Sequence, residues 1–170
     1  MTKWKQPANP RTAVQMMAVD LEGNLLVMHR SKNVRSAANC WSFPSGLHDI
    51  GETQEATAVR ELEEEYGLTG ALSAKQLLTY ENIAGDLNAE EQYHWVISLY
   101  VVVFPTVTVA QNKEPEKHDE MKFVHYSEIG FGKFFEAHQF HPSFHKAVFT
   151  VRSNLAQGIS RCILAHTQRG

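Results

Sequence analysis

The run Gly46-Leu-His-Asp-Ile-Gly-Glu52, followed by Thr53 to Val59 and then by Arg60-Glu-Leu-Glu-Glu-Glu-Tyr-Gly-Leu68, governs how the rest of the chain reads. At 3.6 residues per turn, Ala58, Val59, Leu62 and Tyr66 fall on one side of a helix and form a stripe to be buried. Glu61, Glu64 and Glu65 fall together on the other side. Glu61 stands i, i+3 to Glu64 and i, i+4 to Glu65, so the three carboxylates are neighbours and repel unless a cation sits among them. Carboxylates on one rigid face suit a hard divalent ion, Mg²⁺ with Mn²⁺ as a substitute. Glu63 points away, toward solvent. A run of Glu is usually only a wet helix face, so the surrounding residues have to decide between the two readings.

Working outward, Thr12 to Val19 and Leu25 to His29 read as strands joined by a turn at Gly23-Asn24. Ser31 to Asn39 reads as a loop, Trp41 to Phe43 as a short extended segment, and Gly46 and Gly51 bracket a second loop. Glu52 to Tyr66 is the helix, closed by Gly67. Leu72 to Tyr80 and His94 to Phe104 read as strands around a loop, Glu81 to Gln92, that contains Gly85-Asp86. Gln111 to Glu120 is a charged loop, Phe123 to Tyr126 a short strand, and Pro142 to Gln157 a last helix ended by Gly158. This order implies a mixed sheet with helices on its faces.

The 170 residues suffice for one domain with a sizeable core, preceded by a loose arm from Met1 to Pro10. A net charge of −3 offers no basic stripe for nucleic acid and no polybasic membrane patch, so an anionic substrate must be drawn by a metal or a local cationic cluster. Cys40 and Cys162 form no C-x-x-C pair and read as free thiols in a reducing compartment. The polar start carries no secretory signal, and the longest apolar run, Trp95 to Phe104, is too short to span a bilayer. The expected location is the cytoplasm.

Gly46, Glu52, Arg60, Glu61, Leu62, Glu64, Glu65, Gly67 and Leu68 satisfy G-x5-E-x7-R-E-U-x-E-E-x-G-U, with U aliphatic, at every specified position. With each identity met by chance about one time in fifteen, an accidental match in this chain has odds on the order of 10⁻⁷. The segment resembles the Nudix box, and Leu25 to Arg30 and Trp41 to Gly46 extend the likeness. The resemblance implies a Nudix-type α/β/α sandwich with a mixed β-sheet, a magnesium cofactor, and hydrolysis of a phosphoanhydride bond in a nucleoside diphosphate derivative. It implies Glu64 and Glu65 as metal ligands, Glu61 as a further ligand or the general base, and the Gly46 carbonyl as another ligand. Glu52 and Arg60 are expected to pair and fix the carboxylate geometry. The family commonly has Gly-Gly after the proline, whereas this chain has Pro44-Ser45-Gly46, so the loop backbone is more restricted.

Outside the box, Asn112-Lys-Glu-Pro-Glu-Lys-His118 resembles a segment of Nudix enzymes that clean up nucleoside triphosphates. Glu120 and Asp119, just after it, are the acidic residues expected to reach the metal. Met121 and Phe123 stand where such enzymes often have a Trp for the base, which weakens an oxidised-purine assignment. Arg30 and Lys32 are candidates for phosphates, and Phe123 and Tyr93, in Tyr93-His94-Trp95, for a base. His138, His141 and His145 are interrupted by Pro142 and lack a Cys or acidic partner, so a zinc site is not expected.

The leading reading is a nucleoside triphosphate pyrophosphohydrolase acting on a nucleotide small molecule, with a homodimer left open. Nucleotide sugars, dinucleotides and capped or triphosphorylated RNA ends are the other substrate classes, and the acidic charge counts against RNA. A non-catalytic Nudix-fold binding domain would be expected to lose the metal carboxylates, which are all kept here. An isoprenoid diphosphate isomerase needs a catalytic Cys in the loop before the helix, where this chain has Ser45 and His48.

Overall fold

Alternation along the central strands sorts their side chains onto two faces, and each face is covered by one helix. The structure is a computed structural model describing residues 10–168 except 36, 85–92, 129–133 and 135–136. For 83, 84, 93 and 143–154 it describes the backbone alone. The arm expected before Pro10 and the Gly85-Asp86 loop lie outside the described residues.

Strand β1 (Arg11–Asp20) turns back into β2 (Asn24–Arg30). Two short strands follow, β3 (Trp41–Ser42) and β4 (Ser45–Leu47), then helix α1 (Gln54–Tyr66). Strands β5 (Ser73–Ala84), β6 (Tyr93–Phe104) and β7 (His118–His125) precede helix α2 (Pro142–Thr167). The sheet order is β3-β2-β1-β6-β5, with β4 added to β1 and β7 to β2. The β1–β6 pair is parallel, in unbroken register from Arg11↔Trp95 to Asp20↔Phe104, and the other pairs are antiparallel. This is the mixed sheet with flanking helices that the pattern implies.

Val14, Met16 and Ala18 of β1, with Tyr100, Val102 and Phe104 of β6, meet Ala58, Leu62 and Tyr66 of α1. Met17 and Val19, with Leu99, Val101 and Val103, meet Leu155, Ile159 and Ile163 of α2. On α1, Thr57 is fully buried beside Ala58, Leu62 and Tyr66, whereas Val59 is only partly covered. Thr53 caps the helix, its side chain accepting from the Ala56 N–H at 3.1 Å. Gly67 ends it at φ 66°, a left-handed conformation that suits glycine, and its N–H reaches the Glu63 carbonyl at 2.9 Å.

Four boundaries differ from the sequence reading, each because of tertiary pairing. Ser45–Leu47 is a strand rather than a loop, because β1 supplies partners for Ser45, Gly46 and Leu47. Glu81 to Ala84 continue β5, zipped against Val96 to Tyr93. Strand β7 begins at His118, where polar Asp119 and Glu120 disguise pairing with β2. Helix α2 runs through Gly158, where a Cβ would lie 3.1 Å from Leu77 Cδ2. The glycine is a close-approach point to β5 and not a terminus. Among the described residues, no helix is long and apolar enough to cross a membrane.

Candidate active site

The loop from His48 to Thr53, leaving β4, and the outer face of α1 gather the acidic residues around Arg60. Arg60 Nε and Nη2 donate to the two oxygens of Glu52, each at 3.0 Å. Nη1 donates to Glu61 Oε1 and Glu64 Oε2, again at 3.0 Å, and Asp49 lies 3.6 Å from Nη2. A planar guanidinium can hold several carboxylates in one arrangement because its donors are rigidly spaced. The bonds to Glu52, then those to Glu64 and Glu61, push the Arg60 pKa above its ordinary value, and the Arg60 bonds lower that of Glu52.

Glu52 is held from a second side. Thr57 Oγ1 donates to Glu52 Oε2 at 2.9 Å, and His48 Nδ1 lies 3.0 Å from the same hydroxyl. Thr57 and His48 were invisible as site residues in the sequence. The available signal was a hydroxyl on the buried side of the helix, one turn before Glu61. Gly46 contributes space: a Cβ there would overlap Cγ and Cδ of Glu61.

Glu61 is 13% exposed, and burial raises its pKa. Glu64 is 60% exposed and turned to Arg60. Glu65 is more enclosed. Burial, and then the facing Glu114 carboxyl, push its pKa up to about 8. Glu114 shifts the other way, its burial outweighed by Lys117, whose ammonium donates to Glu114 Oε1 at 2.6 Å, and by Glu65. Glu114 Oε2 is buried, and among the described residues no N–H donor reaches it.

Backbone bonds bring Glu114 to this position. The Gln111 and Lys113 N–H groups donate to the Tyr66 and Glu65 carbonyls at 3.0 Å, and Lys113 Nζ donates to the Glu63 carbonyl. Asn112 ties the loop to itself through the His118 carbonyl and the Glu114 N–H. The acidic residue of this segment facing Glu65 is therefore Glu114. Asp119 pairs with His29 and Glu120 with Lys122, and among the described contacts neither of these two expected residues meets the α1 carboxylates. The Asn112-Lys-Glu-Pro motif contained the signal.

A cavity of about 440 Å³ opens on the α2-facing side of the sheet, with Ser45, Gly46 and Leu47 at its edge. Ala13 and Gln15 of β1 and Ile97 of β6 form its floor, Trp95, Tyr80 and Asn82 one side, and Phe43, Arg30 and His141 another. Arg30 thus lines the cavity, its Nε donating to the Ala37 carbonyl at 3.1 Å. Lys32 is exposed. Phe123 does not join Arg30: it packs against the α1-side core with Leu26 and Leu62. Tyr93 opens β6 opposite Ala84, and its side chain lies outside the described ones. His138 stacks on Phe134 at 4.2 Å, and the side chain of His145 lies outside those described. Cys40 is buried and its thiol donates to the Ala37 carbonyl, so it is not displayed toward a substrate.

Among the described residues, no three carboxylate, imidazole or thiolate groups already converge as a metal cage. The donor set nevertheless fits a hard cation. It consists of oxygen ligands on a rigid helix, a facing carboxyl pair with opposed pKa shifts, and one orphaned buried oxygen.

Fold and site together describe an α/β/α domain whose loop–helix segment carries an arginine-bound acidic cluster. The NUDIX domain model matches residues 9–148, and the chain belongs to the Nudix family. It is 28% identical over 133 residues to the RNA pyrophosphohydrolase of Erythrobacter litoralis (strain HTCC2594), covering 70% of this chain and 78% of that protein. The MutT NUDIX hydrolase from Burkholderia pseudomallei superposes with a TM-score of 0.57 at 25% identity, covering 70% of this chain and 85% of that one. The NUDIX domain of Shewanella oneidensis NrtR, solved with ADP ribose, shares the fold at a TM-score of 0.61 and 16% identity, covering 86% of this chain and 89% of that one. The protein is an enzyme of the Nudix pyrophosphohydrolase class.

Proposed function

We propose that the protein hydrolyses a nucleoside triphosphate to a monophosphate and pyrophosphate, using a divalent metal at the α1 cluster. The observation that carries this reading is Glu114 Oε2, buried beside the Glu65 carboxyl with no N–H donor of the described residues reaching it. Glu64, Glu65 and Glu114, with the Gly46 carbonyl, are the groups that would hold Mg²⁺ or Mn²⁺. An ion held there would supply charge neutralisation for the diphosphate and a water of lowered pKa. Glu61 Oε1 is occupied by Arg60, which leaves Oε2 to take the proton of the attacking water. Burial raises the pKa of Glu61, which makes it a better proton acceptor than an exposed carboxylate. Arg60 and Glu52, with Thr57 behind them, hold Glu61 and Glu64 in place, so that positioning and electrostatics carry the rate. The cavity is of the size expected for a small-molecule site and offers aromatic walls and Arg30 to a nucleoside.

The test is product analysis over a nucleotide panel with Mg²⁺, with chelator as control. Monophosphate and pyrophosphate in equal amounts, lost with chelator, support the reading. Release of single phosphates, or faster turnover of nucleotide sugars or dinucleotides, overturns the substrate class. One alternative has its own support: the relative at 28% identity is an RNA pyrophosphohydrolase. A 5′-triphosphorylated oligoribonucleotide belongs in the panel, and turnover of it above that of free triphosphates would favour that alternative.

A further inference from the structure

Gln15 is 5% exposed on the side of β1 that otherwise presents Ala13, Met17 and Val19. A buried amide is costly unless its donors and acceptor are used. Tyr80 Oη, from β5, donates to Gln15 Oε1 at 2.7 Å. That bond occupies the acceptor end and fixes which way the amide faces, leaving the two N–H donors of Nε2 for another partner. Among the described residues no hydrogen bond from Nε2 is recorded, and Gln15 lines the cavity. Ala13, beside it on the same face, leaves room over the floor, and the partly exposed Trp95 offers a flat apolar surface at the side. A planar ring with an oxygen acceptor on its edge matches this combination.

We propose that Gln15, oriented by Tyr80, is a specificity residue that selects nucleobases carrying a carbonyl oxygen, 6-oxopurines or 4-oxopyrimidines, over those carrying an amino group at the same position. An amino group there would set donor against donor and leave buried N–H groups unpaired. The inference rests on the nucleotide-hydrolase reading above, but it concerns recognition and not the reaction.

The test measures both separately. Calorimetric binding of inosine and adenosine monophosphates to the full chain reads recognition, and kcat/KM for the two triphosphates reads turnover. Inosine monophosphate is expected to bind at least ~10-fold more tightly than adenosine monophosphate. Gln15→Glu, which replaces donors by acceptors, should reverse the preference. Gln15→Met and Tyr80→Phe should shrink the ratio below about threefold, the second by freeing the amide to turn. If Gln15→Glu fails to fold, the other two variants still decide. Equal binding of the two bases by the wild-type protein, or a ratio unmoved by Gln15→Met and Tyr80→Phe, overturns the proposal. If no triphosphate is hydrolysed but the Gln15-dependent preference is present, the hydrolysis reading fails and this one stands. Triphosphate turnover with equal kcat/KM for both bases overturns this inference alone.

Discussion

Glu65 on α1 and Glu114 in the loop before β7 face one another at the enclosed end of the acidic cluster, and their pKa values move in opposite directions. Two carboxyls so placed hold a proton that a cation would displace. This gives a pH signature in the metal-free protein. Glu65 keeps its proton to about pH 8 in the folded chain, whereas the unfolded carboxyl loses it near 4.5. Between those values the native state binds more protons, so stability falls as pH rises, and below about 4.5 the effect vanishes. His118 and His141, pushed down to about 4 by burial, act oppositely below about 6.5. Denaturant unfolding with chelator should therefore show stability declining from pH 6.5 to 8, and Glu65→Gln should flatten that slope.

Thr57 supports Glu52 and thereby Arg60. Thr57→Val keeps the buried shape and removes the donor, so kcat should fall about tenfold and stability by roughly 1–2 kcal/mol. Thr57→Ser should restore most of both. A Thr57→Val enzyme with full kcat would show that the hydroxyl serves packing alone.

Gly46 has no room for a side chain because Glu61 fills the space beside it. Gly46→Ala must displace Glu61 or bend β4 away from Val14, at a cost of about 1–3 kcal/mol. Activity should drop at least ~10² fold, in line with losing a positioned group. Near-normal kcat/KM in this variant would remove Glu61 from the mechanism.

Glu63 and Glu64 are adjacent, but only Glu64 turns to Arg60. Glu64→Gln should lower kcat by ~10² or more, an electrostatic contact worth roughly 3–4 kcal/mol. Glu63→Gln should change it less than about threefold. Kinetics and circular dichroism on the pair separate a metal face from a wet one, and equal small effects would favour the wet face.

The Nudix box and the central strands were legible because their signals are local: helical spacing of Leu62 and Tyr66, a short, nearly unbroken apolar run from Val14 to Val19, and a cap at Gly67. What escaped depends on partners distant in sequence. Ser45-Gly46-Leu47 has no strand pattern of its own and extends only because β1 pairs with it. Gly158 marks a helix end in sequence and a contact with Leu77 in space. Asp119 and Glu120 have the same charge as Glu114, but Asp119 meets His29 only because β7 lies beside β2, and Glu120 pairs with Lys122 two residues on along β7, a spacing that becomes a contact once His118 to His125 is a strand.

The central claim is that Glu114, and not Glu120, completes a metal site with Glu65. Mn²⁺ binding followed by electron paramagnetic resonance tests it on the wild-type protein, Glu114→Gln and Glu120→Gln. Glu114→Gln should weaken Mn²⁺ binding at least ~10-fold, while its fold, checked by circular dichroism, is kept. Glu120→Gln should stay within about twofold of wild type. Equal Mn²⁺ affinity in Glu114→Gln and wild type, or a larger loss in Glu120→Gln, would contradict the account.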